Sequence, residues 1–294
     1  MMLKKIVKKI IPASVKKYIK KNVQTVQKEC TEYVIRTSDI DRFSGKKIIV
    51  TGGTGAIGSA ICQRLLAEGA TVGICGRDMK KVNDLTARFQ AQNLPGGTII
   101  PLYLDVTDDK SIEDAVDSFV KQAGGLDAFI NNAGGGARGE SKPIHEQSVE
   151  IIDRVLNTNL RGSMICARKA AQVMVEQKYG KIINMSSVVG MRGKAKMSDY
   201  AASKAGILGF TQSLALELGE YNITVNCVSP GMVNQTPFDA GMPVKPTSTN
   251  CLKRFGYTDE VANLVAFVLS NEADYITGHN FVVDGGRSLG LMGD

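Results

Sequence analysis

Tyr200 and Lys204 stand four residues apart in a stretch that is predicted to be helical. Residues with this spacing leave the same face of a helix, so the phenol and the ammonium should be neighbours. A free phenol has a pKa near about 10, and a pKa of about 7 requires roughly 4 kcal/mol of preference for the phenolate. A nearby cation supplies such a preference. Such a pair could give or take a proton near neutral pH. With eight tyrosines and many lysines in the chain, however, a Tyr-x-x-x-Lys spacing is expected by chance, so the pair alone does not decide the function.

A glycine-rich segment lies upstream between a predicted strand and a predicted helix, Thr51-Gly52-Gly53-Thr54-Gly55-Ala56-Ile57-Gly58. Gly53, Gly55 and Gly58 fit the pattern G-x-G-x-x-G, in which missing side chains let the backbone turn sharply and approach a pyrophosphate. The following helix would present unpaired N–H groups to the same phosphate. A tight turn alone would also explain these glycines. The position after the first strand of a β-α-β unit nevertheless favours a dinucleotide site.

The next predicted strand ends at Gly76-Arg77-Asp78, a segment that bears on which dinucleotide binds. A carboxylate at a strand tip would accept hydrogen bonds from the adenosine ribose and repel a 2′-phosphate. Here Gly76 leaves room, and the planar guanidinium of Arg77 suits phosphate. We therefore predict NADP(H) as the cofactor. In the competing interpretation Asp78 is the ribose-binding acid, although its position favours Asp78 as a helix N-cap.

Alternating strand and helix patterns from Lys46 onward must position these groups. Apolar, β-branched segments predict strands at 47–51, 71–75, 98–103, 126–130, 181–185, 223–227 and 280–283. Amphipathic segments predict helices at 57–68, 78–92, 109–123, 147–177, 199–219 and 258–270. This alternation indicates β-α-β crossovers and a parallel sheet covered on both faces. The expected fold is α/β, a Rossmann-type doubly wound parallel sheet of about seven strands in a domain spanning 46–294.

Residues 1–45 are predicted to form a basic amphipathic helical extension and a polar connector. Through 1–28, apolar residues recur every three or four positions with lysines on the opposite face, and Pro12 is expected to kink this helix or to start its second half. Nine lysines and no acidic residue give 1–28 a charge of +9. This composition fits peripheral contact with an anionic membrane surface. Packing against a neighbouring subunit is the alternative interpretation.

Composition argues against several other classes of function. Subtracting the +9 of residues 1–28 from the total net charge of +7 leaves −2 for the rest of the chain, so nucleic-acid binding is not expected. Six scattered cysteines without a Cys-x-x-Cys pair, and only two histidines, argue against a disulfide framework and against a metal site. They favour a reducing, cytoplasmic location. Neither a signal peptide nor a membrane span is expected.

Further motifs follow in order along the chain: Asp105-Val106, Asn131-Asn132-Ala133-Gly134, Asn159, Ser187, Tyr200 with Lys204, Ser229-Pro230-Gly231, Ile276-Thr277-Gly278 and Val283-Asp284-Gly285-Gly286. With the glycine loop, this ordered set resembles the short-chain dehydrogenase/reductase superfamily from about Lys46 to the C-terminus. One-domain members such as 3-oxoacyl-(acyl carrier protein) reductases are the most similar. The resemblance implies an NADP(H)-dependent enzyme that interconverts a carbonyl and a secondary alcohol by hydride transfer. It also implies a homo-oligomer, a dimer or tetramer, built through long paired helices near 150–177 and 199–219.

The resemblance further implies the role of each site residue. Tyr200 would exchange the proton, Lys204 would favour its ionisation, Ser187 would polarise the substrate carbonyl, and Asn159 would hold a water beside Lys204. Contacts to the cofactor would come from Gly52, Thr54, Gly55, Ile57, Gly58, Arg77, Asp105, Val106, Asn132, Ala133, Gly134, Tyr200, Lys204, Pro230, Gly231 and Val233. Thr236 or Gln235 would touch the nicotinamide amide.

Several of these roles have alternatives at the level of sequence. Ser186 competes with Ser187, although the 13-residue spacing to Tyr200 favours Ser187. Asn159 could instead cap or kink its helix. Asn131 and Asn132 could be turn residues, or could contact the cofactor and brace the sheet. Asp105 would lie by the adenine of the cofactor, or could instead cap the helix at 109–123.

Two departures from the family pattern keep other functions open. Ala56 stands where one-domain relatives usually have glycine, and the loop spacing is that of nucleotide-sugar epimerases and dehydratases. Asn234-Gln235-Thr236 also shifts the expected threonine by one position. Against an epimerase, only about 60 residues follow Ser229, too few for a separate substrate domain. A catalytically idle NADP(H)-binding scaffold is a third possibility, which the intact tyrosine, lysine, serine and asparagine set disfavours.

The substrate pocket is expected beyond the carboxyl ends of the strands. Its walls would be loops 135–147, 188–199 and 232–255, the last of them long enough to act as a mobile lid. The basic residues in or near these loops would attract an anionic substrate or would be solvated surface charges: Arg138, His145, Arg192, Lys194 and Lys196.

Overall fold

The computed structural model describes residues 41–92, 94, 96–136, 139–235 and 245–289. The amphipathic helix predicted within 1–28 lies outside these residues. The described strands are β1 Lys47–Val50, β2 Thr71–Gly76, β3 Thr98–Tyr103, β4 Ala128–Asn131, β5 Gly180–Met185, β6 Ile223–Pro230 and β7 Asn280–Val283. The described α-helices are α1 Ala56–Ala67, α2 Met79–Ala91, α3 Asp109–Ala123, α4 Val149–Leu156, α5 Gly162–Gln177, α6 Val188–Arg192, α7 Ser198–Leu218 and α8 Thr258–Leu269.

The strands form one parallel sheet in the order β3-β2-β1-β4-β5-β6-β7. The chain runs outward from β1 to β3, then returns to β4 on the other side of β1. Ligands bind in the crevice beyond the carboxyl ends of strands at such a switch point. The predicted seven-stranded Rossmann-type fold is confirmed.

Each face of the sheet is covered by its own layer of helices. In β1, the side chains of Ile48 and Val50 pack with α1, α2 and α8, whereas Ile49 packs with α3, α5 and α7. This follows from the alternation of side chains along a strand. Because both faces are buried, β1 is apolar after its first residue, Lys47, as parallel strands are. Burial of each such side chain contributes roughly 1.5–3 kcal/mol.

The polar connector packs against the sheet domain at its last residues. Phe43 is only 2% exposed and belongs to the core layer of α1 and α2. Its backbone N–H donates to the carbonyl of Glu68 at 2.8 Å. The Arg42 guanidinium also pairs with the buried Glu68 carboxylate, with Nε 2.6 Å from Oε2. The boundary at residue 46 stays a prediction.

The helix predicted over 147–177 differs from the observed structure. A π-helical turn at Asn157–Arg161 separates α4 from α5. Ser163 Oγ donates to the carbonyl of Asn159 at 2.8 Å inside this turn. Such π turns occur often at functional sites, and this one contains Asn159.

None of the described helices is both long enough and apolar enough to cross a membrane.

Candidate active site

A cleft of about 930 Å³ lies over the carboxyl ends of the strands. Most of the predicted site residues line it: Gly52, Thr54, Gly55, Ile57, Gly58, Arg77, Val106, Asn132, Ala133, Gly134, Ser187, Tyr200, Lys204, Pro230, Gly231 and Val233. Asp105 and Asn159 are not among the lining residues. Thr236 lies outside the described residues, whereas Gln235 lines the cleft.

The glycine loop approaches its neighbours too closely for side chains. Gly52 makes the turn in the left-handed region with φ +61°, and a Cβ there would lie 2.9 Å from the Cα of Ala133. A Cβ at Gly58 would lie 2.2 Å from the Gly52 oxygen. Gly53 of the G-x-G-x-x-G pattern instead faces the core, where a Cβ would meet Ile74 at 2.9 Å. The sharp turn therefore belongs to Gly52, the glycine before the pattern.

The first turn of α1 is open to an anion. Its N-cap residue is Gly55, which has no side chain to accept a hydrogen bond from the N–H groups of the helix. The N–H groups of the first turn are therefore available, together with the positive end of the helix dipole. The open N-terminus and the glycine cradle together fit the pyrophosphate of a dinucleotide.

Thr51 and Asn132 hold the loop against β4. Thr51 Oγ1 accepts hydrogen bonds from the backbone N–H groups of Asn132 and Ala133, each at 3.0 Å, and donates to the carbonyl of Ile130 at 3.2 Å. Asn132 Nδ2 donates to the carbonyls of Thr51 at 3.0 Å and Gly52 at 3.1 Å. The role of Thr51 was not predicted, because the sequence shows only that it ends a strand.

Arg77 extends from the tip of β2 into the wall of the cleft. Its side chain is exposed and makes no ion pair with any residue in the described part of the chain. Asp78 Oδ1 accepts from the Lys81 N–H at 3.2 Å and caps α2. The capping interpretation of Asp78 is therefore confirmed, and Arg77 is the free charge at this strand tip.

Asp105 lies just outside the cleft, between the lining residues Leu104 and Val106. Its Oδ1 accepts from the N–H and the hydroxyl of Thr107, at 2.9 and 2.7 Å. The N-cap of α3 is Asp108, not Asp105. The capping interpretation of Asp105 is therefore wrong, since the N-cap lies three residues later, and a contact between Asp105 and the adenine stays a prediction.

Tyr200 and Lys204 lie together on α7, as their spacing predicts. Lys204 Nζ is 5.9 Å from the centroid of the Tyr200 ring. The lysine is 4% exposed, and its Nζ donates to the carbonyl of Met185 at 2.7 Å. Burial lowers the pKa of Lys204 to about 8, an effect that the neighbouring Cys227 thiol partly opposes. The half-buried phenol faces the cleft beside this ammonium.

The two serines after β5 have different partners. Ser186 Oγ donates to the backbone carbonyl of Lys204 at 2.7 Å. Ser187 Oγ accepts from the N–H of Val189 at 3.2 Å and caps α6. Among the described residues Ser187 donates to none, so its proton is left for a ligand in the cleft. This arrangement favours Ser187 over Ser186 as the carbonyl-polarising group.

Asn159 is fully buried behind the cleft wall. Its Oδ1 accepts from the Gly135 N–H at 2.9 Å, and its Nδ2 donates to the Gly135 carbonyl and to Ser203 Oγ, each at 3.1 Å. A Cβ at Gly134 would lie 2.6 Å from Asn159 Oδ1 and 3.4 Å from Lys204 Nζ. Asn159 thus joins the loop after β4 to α7 beside the lysine, from within the π turn.

Asn131 braces the sheet below the site. Its Nδ2 donates to the carbonyl of Ser163 at 3.1 Å and to Asn184 Oδ1 at 2.9 Å. Asn184 lies opposite it in β5 and donates in turn to Thr211 Oγ1 of α7 at 3.0 Å. This buried chain confirms the bracing interpretation.

The described residues among the basic ones expected to attract a substrate do not line the cleft. Arg138 lies outside the described residues, and the other four (His145, Arg192, Lys194 and Lys196) are not among the lining residues. Arg154 of α4 lines the cleft instead, paired with Glu140. Sequence reasoning missed this arginine because the pair joins α4 to a loop 14 residues away. Val155 also lines the cleft; its position one helical turn before Asn159 was an available signal.

In the described part of the chain, no group of three or more His, Cys, Asp or Glu residues could hold a metal ion.

Comparison with known proteins shows which family this chain resembles. Residues 52–288 match the family model described as enoyl-(acyl carrier protein) reductase. A 3-oxoacyl-[acyl-carrier-protein] reductase of Thermotoga maritima is 38% identical over 83% of this chain and 98% of its own length. Levodione reductase of Leifsonia aquatica is 32% identical over 86% of this chain and 97% of its own.

Solved structures agree with the fold. A 3-oxoacyl-[acyl-carrier protein] reductase from Brucella melitensis with bound NAD has a TM-score of 0.78 at 30% identity, covering 87% of this chain and 97% of that one. A short-chain dehydrogenase from Burkholderia cenocepacia in complex with NADP has a TM-score of 0.74 at 35% identity, covering 84% and 99%. Proteins similar to this chain thus bind a nicotinamide dinucleotide in the same fold. The chain belongs to the short-chain dehydrogenase/reductase superfamily of oxidoreductases and is similar to its 3-oxoacyl-[acyl-carrier-protein] reductases.

Proposed function

We propose that this protein is an NADP(H)-dependent oxidoreductase that interconverts a carbonyl and a secondary alcohol. The observation that carries the proposal is the meeting of two sets of groups in one cleft. The glycine cradle and the open N-terminus of α1 form the first set. The second set is Ser187, Tyr200 and Lys204. A dinucleotide site and a proton-transfer site that share a cleft are what hydride transfer to a carbonyl requires.

The residues of the chain would divide the chemistry among them. When bound, the dinucleotide supplies or accepts the hydride. In reduction, the Tyr200 hydroxyl gives its proton to the substrate oxygen, and in oxidation the phenolate takes it back. The Ser187 hydroxyl donates a hydrogen bond to the same oxygen as charge develops there. The Lys204 ammonium lowers the pKa of the phenol by its charge.

Asn159 would support a proton path in the space between its own side chain and Lys204. Its side chain holds Gly135, and Gly134 leaves the space between Asn159 and Lys204 free of a Cβ. We propose that this space admits a water that returns protons to Lys204 and Tyr200. A side chain at position 134 would displace that water.

Arg77 supports NADP(H) rather than NAD(H). The guanidinium is exposed at the tip of β2, free of ion pairs among the described residues, while Asp78 is occupied in capping α2. One similar structure is reported with NADP and another with NAD, so the choice rests on this strand tip. A guanidinium here would pair with the adenosine 2′-phosphate.

Replacing Arg77 by alanine is expected to raise KM for NADPH about tenfold or more, since a charge-assisted hydrogen bond contributes roughly 1.5–3 kcal/mol. KM for NADH should change less than about twofold, because NADH has no 2′-phosphate to lose. Steady-state kinetics with both cofactors measure this. Lys80→Ala, which removes an exposed charge from the first turn of α2, is the matched control. A wild-type enzyme that prefers NADH tenfold would contradict the assignment.

The function itself is tested by a screen for NADPH oxidation over classes of carbonyl compound, with NADH alongside. The names of the similar proteins suggest 3-oxoacyl-[acyl-carrier-protein] and levodione as the first two compounds to test. We expect substrate-dependent loss of NADPH with one class at least. An epimerase or dehydratase would convert a nucleotide sugar without net loss of NADPH, and an idle scaffold would bind NADPH without turnover.

We propose that the protein is cytoplasmic, assembles as a homo-oligomer and attaches peripherally to an anionic membrane surface through 1–28. Deletion of residues 1–36 is expected to abolish co-sedimentation with vesicles that contain anionic lipid, because it removes all nine lysines of residues 1–28. Light scattering should give the same number of subunits per oligomer for both proteins. Neutral vesicles are the control. Unchanged co-sedimentation would eliminate the membrane role, and a smaller oligomer would show that the segment joins subunits.

A further inference from the structure

The Lys204 ammonium is held without a carboxylate. Among the described residues it forms no ion pair with an acid, and its hydrogen bond goes to the neutral carbonyl of Met185 at 2.7 Å. The titratable groups that face it are the Tyr200 phenol on its own helix and the Cys227 thiol from β6. Its position therefore depends on how closely α7 approaches the end of β5.

Two residues that the proposed mechanism does not use set that approach. The Ser186 hydroxyl, buried next to Met185, donates to the backbone carbonyl of Lys204 at 2.7 Å. Gly190 in α6 packs directly on the backbone of α7. A Cβ at Gly190 would lie 2.6 Å from the carbonyl carbon of Lys204 and 2.8 Å from the nitrogen of Ala205.

The segment 185–190 thus contacts Lys204 at its ammonium, at its carbonyl and at its backbone. The same segment carries Ser187, whose hydroxyl faces the cleft. Because one short segment both contacts Lys204 and carries Ser187, it sets the distance between Ser187 and the Tyr200–Lys204 pair. An error of about 1 Å in such a distance is enough to cost roughly a hundredfold in rate.

We infer that Ser186 and Gly190 are positioning residues that hold Lys204, and with it Tyr200, at the working distance from Ser187. The inference rests on the proposed function for its consequences in catalysis, but the contacts themselves are independent of it. Ser186, which the sequence left as an alternative to Ser187 for the catalytic serine, thereby has a positioning role instead.

The test compares two substitutions with matched controls. Ser186→Ala removes the hydroxyl without adding atoms, and Gly190→Ala inserts a methyl group against the backbone of α7. Ser270→Ala is the control for the first, since Ser270 Oγ donates to a helix carbonyl at the same 2.7 Å far from the cleft. Gly209→Ala is the control for the second. Gly209 lies on α7, and a Cβ added there meets nothing within 4 Å.

We expect kcat to fall about tenfold in Ser186→Ala and about ten- to hundredfold in Gly190→Ala. The Kd for NADPH, measured by fluorescence, should stay within about threefold of wild type, and the controls should keep their kcat. If Gly190→Ala fails to fold, Ser186→Ala still decides the question. Equal kcat in Ser186→Ala and Ser270→Ala would overturn the inference.

A second readout needs neither substrate nor cofactor. The free energy of unfolding of the cofactor-free protein depends on pH through the buried Lys204. Both substitutions are expected to shift α7 relative to the end of β5 and so to weaken the hydrogen bond from the Lys204 ammonium to the Met185 carbonyl. A weaker bond disfavours the charged lysine, so its pKa falls further and this pH dependence moves to lower pH in Ser186→Ala and Gly190→Ala. A profile identical to wild type in both variants would overturn the inference. If every carbonyl fails as a substrate, the proposed function fails and this readout alone still tests the contacts.

Discussion

Tyr200→Phe is expected to lower kcat for carbonyl reduction by about 10²- to 10⁴-fold, the usual contribution of a general acid. The ring still fits beside Lys204, because only the hydroxyl is removed from a side chain that lies 5.9 Å from Nζ. Binding of NADPH should therefore persist, with a Kd within about threefold of wild type. Steady-state kinetics and a fluorescence titration measure the two effects separately.

The control for this variant is Tyr275→Phe, which removes the same hydroxyl from a fully exposed tyrosine. It should match wild type in both measurements. Undiminished turnover in Tyr200→Phe would refute the proposed proton transfer. A loss of NADPH binding together with turnover would instead indicate that the phenol serves the cofactor site.

Lys204→Met is expected to abolish turnover and to stabilise the cofactor-free protein. Burial lowers the pKa of Lys204 from 10.5 to about 8. A shift of this size corresponds to roughly 3 kcal/mol of unfavourable free energy for the charged lysine at pH 7. The lost hydrogen bond to Met185 offsets part of the gain, at about 1 kcal/mol. We therefore expect the free energy of unfolding to rise by about 1–3 kcal/mol, measured by urea denaturation at pH 7.

The pH dependence of this gain identifies its cause. Between the native pKa of about 8 and the unfolded value of 10.5, the unfolded chain binds a proton that the native protein lacks, so wild-type stability rises with pH across that window. The advantage of Lys204→Met should thus be full below pH 8 and should disappear toward pH 10.5. Lys80→Met, at an exposed position, should show no such trend. A variant less stable than wild type at pH 7 would contradict the expectation.

Both predictions describe one compromise. The lysine that is to ionise the phenol lies where its own charge is poorly solvated, and the only described hydrogen bond of its ammonium is to a backbone carbonyl. Stability lost at a catalytic group is a common cost of function. Segment 185–190 holds the Lys204 ammonium beside the phenol through its contacts with the side chain and backbone of the lysine.

Strand positions could be predicted because a parallel strand buried on both faces needs an unbroken apolar run, and such runs as 48–50 are visible in the chain itself. The pairing of Tyr200 with Lys204 could be predicted for a similar reason, since helical spacing alone puts the two on one face. Asp78 as a cap followed from its position before α2.

Other features depend on contacts between distant segments. The π turn at Asn157–Arg161 interrupts the helix that the sequence predicts over 147–177. It occurs where Asn159 forms hydrogen bonds to the loop after β4 and to α7. The turning glycine of the loop is Gly52 because the backbone of Ala133 leaves no room there for a Cβ. No local pattern reports either constraint.

By itself, the amino-acid sequence determined the alternation of strands and helices, the phosphate loop and the phenol–ammonium pair, since each depends on residues only a few positions apart. Only the tertiary structure decided which of the two serines keeps its hydroxyl proton for a ligand, what Asn159 holds, and that Arg154, rather than the described basic residues expected there, lines the cleft. These depend on which distant backbones meet. Burial, which lowers the pKa of Lys204, likewise exists only once the sheet and its helices have packed.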